Sequence, residues 1–122
     1  MTTTTINLVV PAGATFPFDF LAVESDGTTP MDLTGWTARM QVRPNFKKVG
    51  NALLEFTTTN TKLVITPLTG KIRLIIPATD TDSIPVDKDG RQLFYDLEID
   101  NGSGVVNRPF QGIFTLTPQI TI

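Results

Sequence analysis

Three carboxylates stand two residues apart in Tyr95-Asp96-Leu97-Glu98-Ile99-Asp100. On an extended chain that spacing brings Asp96, Glu98 and Asp100 to one face. Paired carboxylates perform acid–base chemistry when one is desolvated and keeps a proton that its neighbour has lost. The intervening residues argue against that use here. Tyr95, Leu97 and Ile99 form the apolar set, so the acids fall on the side away from a core, where water keeps them ionised. Arg39, Arg43 or Arg73 on neighbouring strands are their expected cross-strand partners.

A second oxygen-rich stretch is Asp80-Thr81-Asp82-Ser83-Ile84-Pro85-Val86-Asp87-Lys88-Asp89-Gly90. Aspartates at alternate positions are the chemistry of a calcium loop. No glutamate closes this one, Lys88 sits inside it and Pro85 interrupts it, so no metal site is expected. The sequence has no cysteine and no histidine. That removes disulfides, thiolate nucleophiles, Cys/His zinc sites and the commonest general base. Serine and threonine hydroxyls are plentiful but lack a base to activate them. Gly102-Ser103-Gly104 lies between strands rather than opening a helix, which is the wrong place to cradle a phosphate. No catalytic, cofactor-binding or metal-binding residue is assigned, no cofactor is expected, and an enzyme is not the expected reading.

The residues left over suit contacts between proteins. Phe16, Phe18 and Phe20 alternate with Pro17 and Asp19, placing three rings on one face of a segment whose proline lacks a ladder donor. Pro17 therefore marks an edge strand or a bulge. Aromatic side chains at an edge anchor interfaces. The tip Pro44-Asn45-Phe46-Lys47-Lys48-Val49-Gly50 adds a basic loop with one ring. Phe16, Pro17, Phe18, Phe46, Lys47 and Lys48 are the candidate interface. The strand-like termini, Thr2 to Val10 and Pro118 to Ile122, are further candidates for pairing with another chain.

The elements that must hold these residues alternate with period two. Strands are predicted at Ile6–Val10, around Phe16–Phe20, at Trp36–Arg43, Leu53–Thr57, Leu63–Thr66, Lys71–Ile76, around Tyr95–Ile99, at Val105–Val106, Gly112–Thr117 and Ile120–Ile122. The Trp36–Arg43 segment alternates most cleanly, with Trp36, Ala38, Met40 and Val42 inward. A buried Trp36 predicts a loss of about 3–5 kcal/mol for Trp36→Ala. A single helical turn is predicted at Thr81–Ile84, capped by Thr79 or Asp80 and stopped by Pro85. Strand signals every ~8–12 residues, with no long helix between them, predict an immunoglobulin-like antiparallel β-sandwich of about seven to nine strands; a small barrel is the competing topology.

Size and charge agree with this. At 122 residues the chain fits one domain, residues 1–122, able to bury roughly two-thirds of its unfolded surface. Apolar residues make up 40% and charged ones 18%, as in ordinary folded proteins. Ten basic against twelve acidic residues give a net charge of -2, so no nucleic-acid partner is expected. Met1 to Thr5 has neither the basic nor the apolar region of a signal peptide, and no run approaches the ~20 apolar residues of a membrane span. A soluble product without membrane insertion is expected.

Three stretches, "LTGWTARMQVRP", "LLEFTTTNTKLVITPLTGKIRLIIPATDTDSI" and "LFYDLEIDNGSGVVNRPFQGIFTLTPQIT", resemble a group of small immunoglobulin-like proteins of tailed bacteriophages. Together they run from about Leu33 to Ile122. The resemblance implies a virion or virion-associated protein, linked with tail fibre, baseplate or neck-collar components and made in the host cytoplasm. It implies no catalytic residue, and gives Arg108 and Gly112 structural positions. Pro109 departs from the group, which has an apolar residue there, and bears on how regularly the last hairpin pairs. The expected function is a non-enzymatic structural component that joins copies of itself or neighbouring virion proteins through sheet edges and loops. The alternatives are a glycan- or receptor-binding module in adsorption, or a fibre assembly chaperone absent from the particle.

Overall fold

The computed structural model describes residues 3–47 and 50–120. Nine strands form among them: β1 Thr4–Thr5, β2 Leu8–Pro11, β3 Phe16–Leu21, β4 Thr37–Arg43, β5 Leu54–Thr57, β6 Leu63–Thr66, β7 Lys71–Ile76, β8 Arg91–Asp100 and β9 Val106–Thr117. A 3-10 turn spans Pro67–Thr69 and one helical turn, α1, spans Ala78–Asp82. The larger sheet runs β1-β9-β8-β4-β5, with β2 also on β9, and the smaller runs β3-β7-β6. The chain crosses between sheets at β2–β3, β3–β4, β5–β6 and β7–β8, so each sheet is assembled from distant segments.

Period two does the building. Along β4, Ala38, Met40 and Val42 are buried while Thr37 and Arg39 are exposed. Along β7, Ile72, Leu74 and Ile76 are fully buried, and along β8 so are Leu93, Leu97 and Ile99. These inward rows meet those of the facing sheet in one continuous cluster. Two packed sheets with these inner faces and Greek-key-like crossings make an immunoglobulin-like β-sandwich.

The pairing is antiparallel except at one edge. β1 and β2 run parallel to β9, from Thr4 opposite Phe110 to Pro11 opposite Thr117. The amino-terminal segment, expected to offer itself to a second chain, uses one side to pair with β9, with Leu8 and Val10 buried. At the other end Pro118, Gln119 and Ile120 are not in a strand, and Thr2, Thr121 and Ile122 lie outside the described residues.

Three expectations are corrected. Trp36 precedes β4 rather than lying on it, because Gly35 at φ +82 closes a turn in which the Trp36 N–H donates to Leu33 O. Its ring is half-buried against the core rather than inside it. Trp36→Ala is therefore expected to cost about 2 kcal/mol in urea unfolding, below the 3–5 kcal/mol of a fully enclosed aromatic. The helical turn starts earlier than predicted, with Pro77 as its N-cap residue. Asp80 is drawn off to Lys62 at 2.7 Å, and buried Thr81 accepts the Gly13 N–H at 2.9 Å. Finally, Val106 to Thr117 is one strand, not two. Its register against β8 shifts between Leu97 and Ile99, where Arg108 and Pro109 together oppose Glu98. This is a β-bulge, and it absorbs the donor that Pro109 lacks.

Candidate functional site: the outer face of the larger sheet

Residues with chemical functions gather on the outward face of the larger sheet. Register rather than sequence neighbourhood sets their order. Gln41 opposes both Glu55 and Asp96, Asp96 opposes Gln111, and Gln111 opposes Thr5. One row thus crosses all five positions of the sheet. A second row sets Thr57, Arg39 and Glu98 side by side. Above these rows a concavity of about 550 Å³ is lined by Arg39, Gln41, Asp96, Glu98, Arg108 and Gln111, with Phe46 and Phe94 at one end.

The acidic row faces outward as the alternation requires, and an arginine outside the predicted set, Arg108, partners it. Arg108 Nε lies 3.0 Å from Asp96 Oδ2 and its Nη2 lies 3.7 Å from Glu98 Oε1. The bulge is the cause, since an extra residue on β9 re-aims the side chain beside it. Arg73 is on the other sheet and pairs with Asp19 at 3.5 Å. Arg43 bonds to Gly50 O at 2.9 Å and to Gln41 Oε1 at 3.0 Å. Arg39, though opposite Glu98, makes no ion pair among the described residues. Gln41 Nε2 donates to Glu55 Oε2 at 2.5 Å.

The candidate interface residues separate into two groups. Phe46 is 86% exposed, yet its ring rests on Phe94, with centroids 4.3 Å apart, at the end of the concavity. Lys47 is exposed on the same loop, and Lys48 lies outside the described residues. Phe16, Pro17 and Phe18 lie on the other sheet: the two rings are half-buried and 6.4 Å apart, and Pro17 is exposed. Pro17 is on an edge strand, as its missing N–H requires. The sequence reading passed over Phe94. The available signal was phase, because Phe94 is an aromatic residue at an outward position between inward Leu93 and Tyr95.

At the edge of this face the amino-terminal arm is fastened by an exchange of partners. Ile6 N–H donates to Gln111 O at 2.9 Å. The Ile6 carbonyl is then taken by the Tyr95 hydroxyl at 2.5 Å, and Asn7 Oδ1 accepts the Ile113 N–H at 3.0 Å in its place. Tyr95 is 4% exposed, and burial pushes its hydroxyl well above the ordinary tyrosine value. Folded Tyr95 keeps its proton where unfolded tyrosine loses it near about 10. Its contribution to stability is complete below that pH and is lost as pH rises through the folded value. Tyr95→Phe should cost about 1–3 kcal/mol at neutral pH, since the Ile6 carbonyl loses its donor. The variant's stability should also decline less between neutral and strongly alkaline pH. Tyr95 is the sole tyrosine, so tyrosinate absorbance followed alongside unfolding reads both effects.

Other acids are engaged in local turns. The Thr29 hydroxyl, with the Thr29 and Thr28 N–H groups, holds Asp26 down to about 2, and Thr34 lowers Asp32 in the same way. In the stretch from Asp80 to Gly90, Asp80 pairs with Lys62, and a backbone turn closes where the Gly90 N–H donates to the Asp87 main-chain carbonyl.

No family model and no curated protein matches the sequence. Among solved structures the chain is similar to the extracellular domain of the voltage-gated sodium channel β4 subunit, a protein described as forming parallel homodimers with a role in cell–cell adhesion. The identity is 7% and the TM-score 0.46, over 98% of this chain and 97% of that one. It is also similar to Drosophila OTK, extracellular domains 3–5, at 14% identity and a TM-score of 0.38. That match covers 94% of this chain and 33% of the longer one.

Proposed function

We propose that this chain is a non-enzymatic structural component of a tailed-phage particle, joining copies of itself or neighbouring tail, baseplate, collar or fibre proteins. The observation that carries the reading is how the outer face spends its reactive groups. Arg108 holds Asp96 and Glu98, Gln41 holds Glu55, and the Tyr95 hydroxyl donates a hydrogen bond to the Ile6 carbonyl. Such a face is organised for contact, with an exposed ring at Phe46 and charges of both signs. The sequence resemblance supplies the phage setting. Mass spectrometry of purified particles of the encoding phage tests it: the chain is expected as a stoichiometric component, and its absence overturns the structural role in favour of an assembly chaperone.

One observation favours a second reading, a glycan-binding module. The tilted Phe46–Phe94 ring pair stands beside planar amides and carboxylates at Gln41, Gln111, Asp96 and Glu98. Apolar sugar faces pack on rings, while hydroxyls bond amides and acids. A glycan array that yields a hit lost in Phe46→Ala would favour this reading over the first.

A further inference from the structure

We infer that the outer edge of β3 is an acceptor for an extended segment of another polypeptide, which would add a fourth strand to the smaller sheet. This deepens the reading above by naming the edge used and the kind of partner. Among the described residues the smaller sheet has three strands, and the amino-terminal segment pairs with β9 of the larger one. Among the described residues β3 is bonded on one side only, over Phe16 to Leu21 opposite Ile76 to Lys71. The direction of its backbone groups follows from one bond. Ala22 N–H donates to Gly70 O at 2.8 Å, continuing the register in which Leu21 opposes Lys71. Even-numbered residues therefore turn their amides toward β7, and Pro17, Asp19 and Leu21 turn theirs to the open side.

That edge offers three carbonyls and the N–H groups of Asp19 and Leu21. Pro17, Asp19 and Leu21 are all exposed, Leu21 at 58%. Phe16 and Phe18, on the inward face of the same strand, are only half-buried, whereas Phe20 is fully covered. An added strand would supply the missing cover. A row of unpaired groups flanked by apolar side chains is a template for strand addition.

Charge selects the occupant. If a second copy used the whole of this edge across a two-fold axis, Asp19 would stand opposite its own equivalent and Pro17 opposite Leu21. Like charges directly opposed are destabilising. Asp19 is held only loosely from the other side, by Arg73 at 3.5 Å and Lys71 at 3.8 Å, so it retains capacity for a cation on the open side. The fitting partner is an extended segment of different sequence, with a lysine or arginine across from Asp19 and apolar residues at the alternate, inward-facing positions that reach over Phe18 and Phe16.

The test uses the isotope-labelled chain and two eight-residue probe peptides alternating valine and threonine, one with a central lysine and one with a central glutamate there. The lysine peptide is expected to shift and protect the Asp19 and Leu21 amides, and to bind more tightly than the glutamate peptide. Asp19→Pro removes one donor on the open side and no backbone bond to β7. The exposed pairs with Arg73 and Lys71 that it also loses are worth little, so the variant is expected to fold, as thermal unfolding would check. It should weaken binding by about tenfold or more. Asp19→Asn keeps that donor and should lose only the preference for lysine. Unchanged binding by Asp19→Pro, perturbation elsewhere, or no saturation at roughly millimolar peptide overturns the inference. Self-association of the wild type that Asp19→Pro abolishes overturns the choice of occupant in favour of a second copy. Particles that contain the chain, together with no peptide binding, would reject this edge and leave the structural role standing. Peptide binding by a chain absent from particles would do the reverse.

Discussion

Gly112→Ala lowers the unfolding free energy by at least about 2–3 kcal/mol, and by more as the amino-terminal arm is released from the sandwich. A Cβ built on Gly112 would lie 2.2 Å from the Ile6 carbonyl oxygen and 3.0 Å from Asn7 Oδ1. The nearer atom is backbone, so no rotamer change relieves it. Ile6 has to move, and with it go the Tyr95 hydrogen bond and the Asn7–Ile113 bond that replace the regular ladder at this point. If the arm lifts fully, Leu8 and Val10 lose their cover, each worth about 1.5–3 kcal/mol when fully buried. Urea unfolding gives the stability loss, and amide exchange gives its location: protection should vanish on the β2–β9 pairing and persist on β4–β8. A neutral result would mean that the arm accommodates a methyl group without leaving β9. Combining Gly112→Ala with Tyr95→Phe should be less than additive, because both act on the Ile6 carbonyl.

The second large effect is Phe20→Ala, expected to cost about 3–5 kcal/mol. Phe20 is fully buried and joins the two sheets. Its ring meets Phe18 edge-on at 4.8 Å within its own sheet and lies 4.9 Å from Phe110 and 6.3 Å from Tyr95 across the sandwich. Removing it opens a cavity that three aromatic neighbours cannot close without leaving their rotamers. Set against the 5–15 kcal/mol of a typical domain, the loss should bring the urea midpoint down sharply with little change in slope. Phe16→Ala, at the half-buried end of the same stripe, should cost much less. A stripe that looks uniform in sequence is thus graded in energy.

That grading marks where one chain's letters stop being informative. Alternation in β4, β7 and β8 was plain because each inward residue is apolar and each outward one polar, and a strand has no freedom to present them otherwise. The sandwich and the outward acids followed from the same rule, and the edge position of Pro17 from its missing N–H. Trp36 was misplaced because periodicity is blind to the left-handed turn at Gly35 that ends just before the strand. Arg108 was missed as the acids' partner because its aim depends on a bulge, a one-residue mismatch between two strands that neither strand shows alone. Phe94 and Phe46 met because a loop tip folds back across the sheet, a contact between residues 48 positions apart.

Local chemistry by itself determined which residues are wet, which are buried and which reactions lack their reagents, since burial follows side-chain type at every second position. Only the assembled sandwich decided who faces whom. The course of the arm along β9, the row from Glu55 to Thr5 and the open side of β3 all depend on strand order and register, which come from packing two sheets at once.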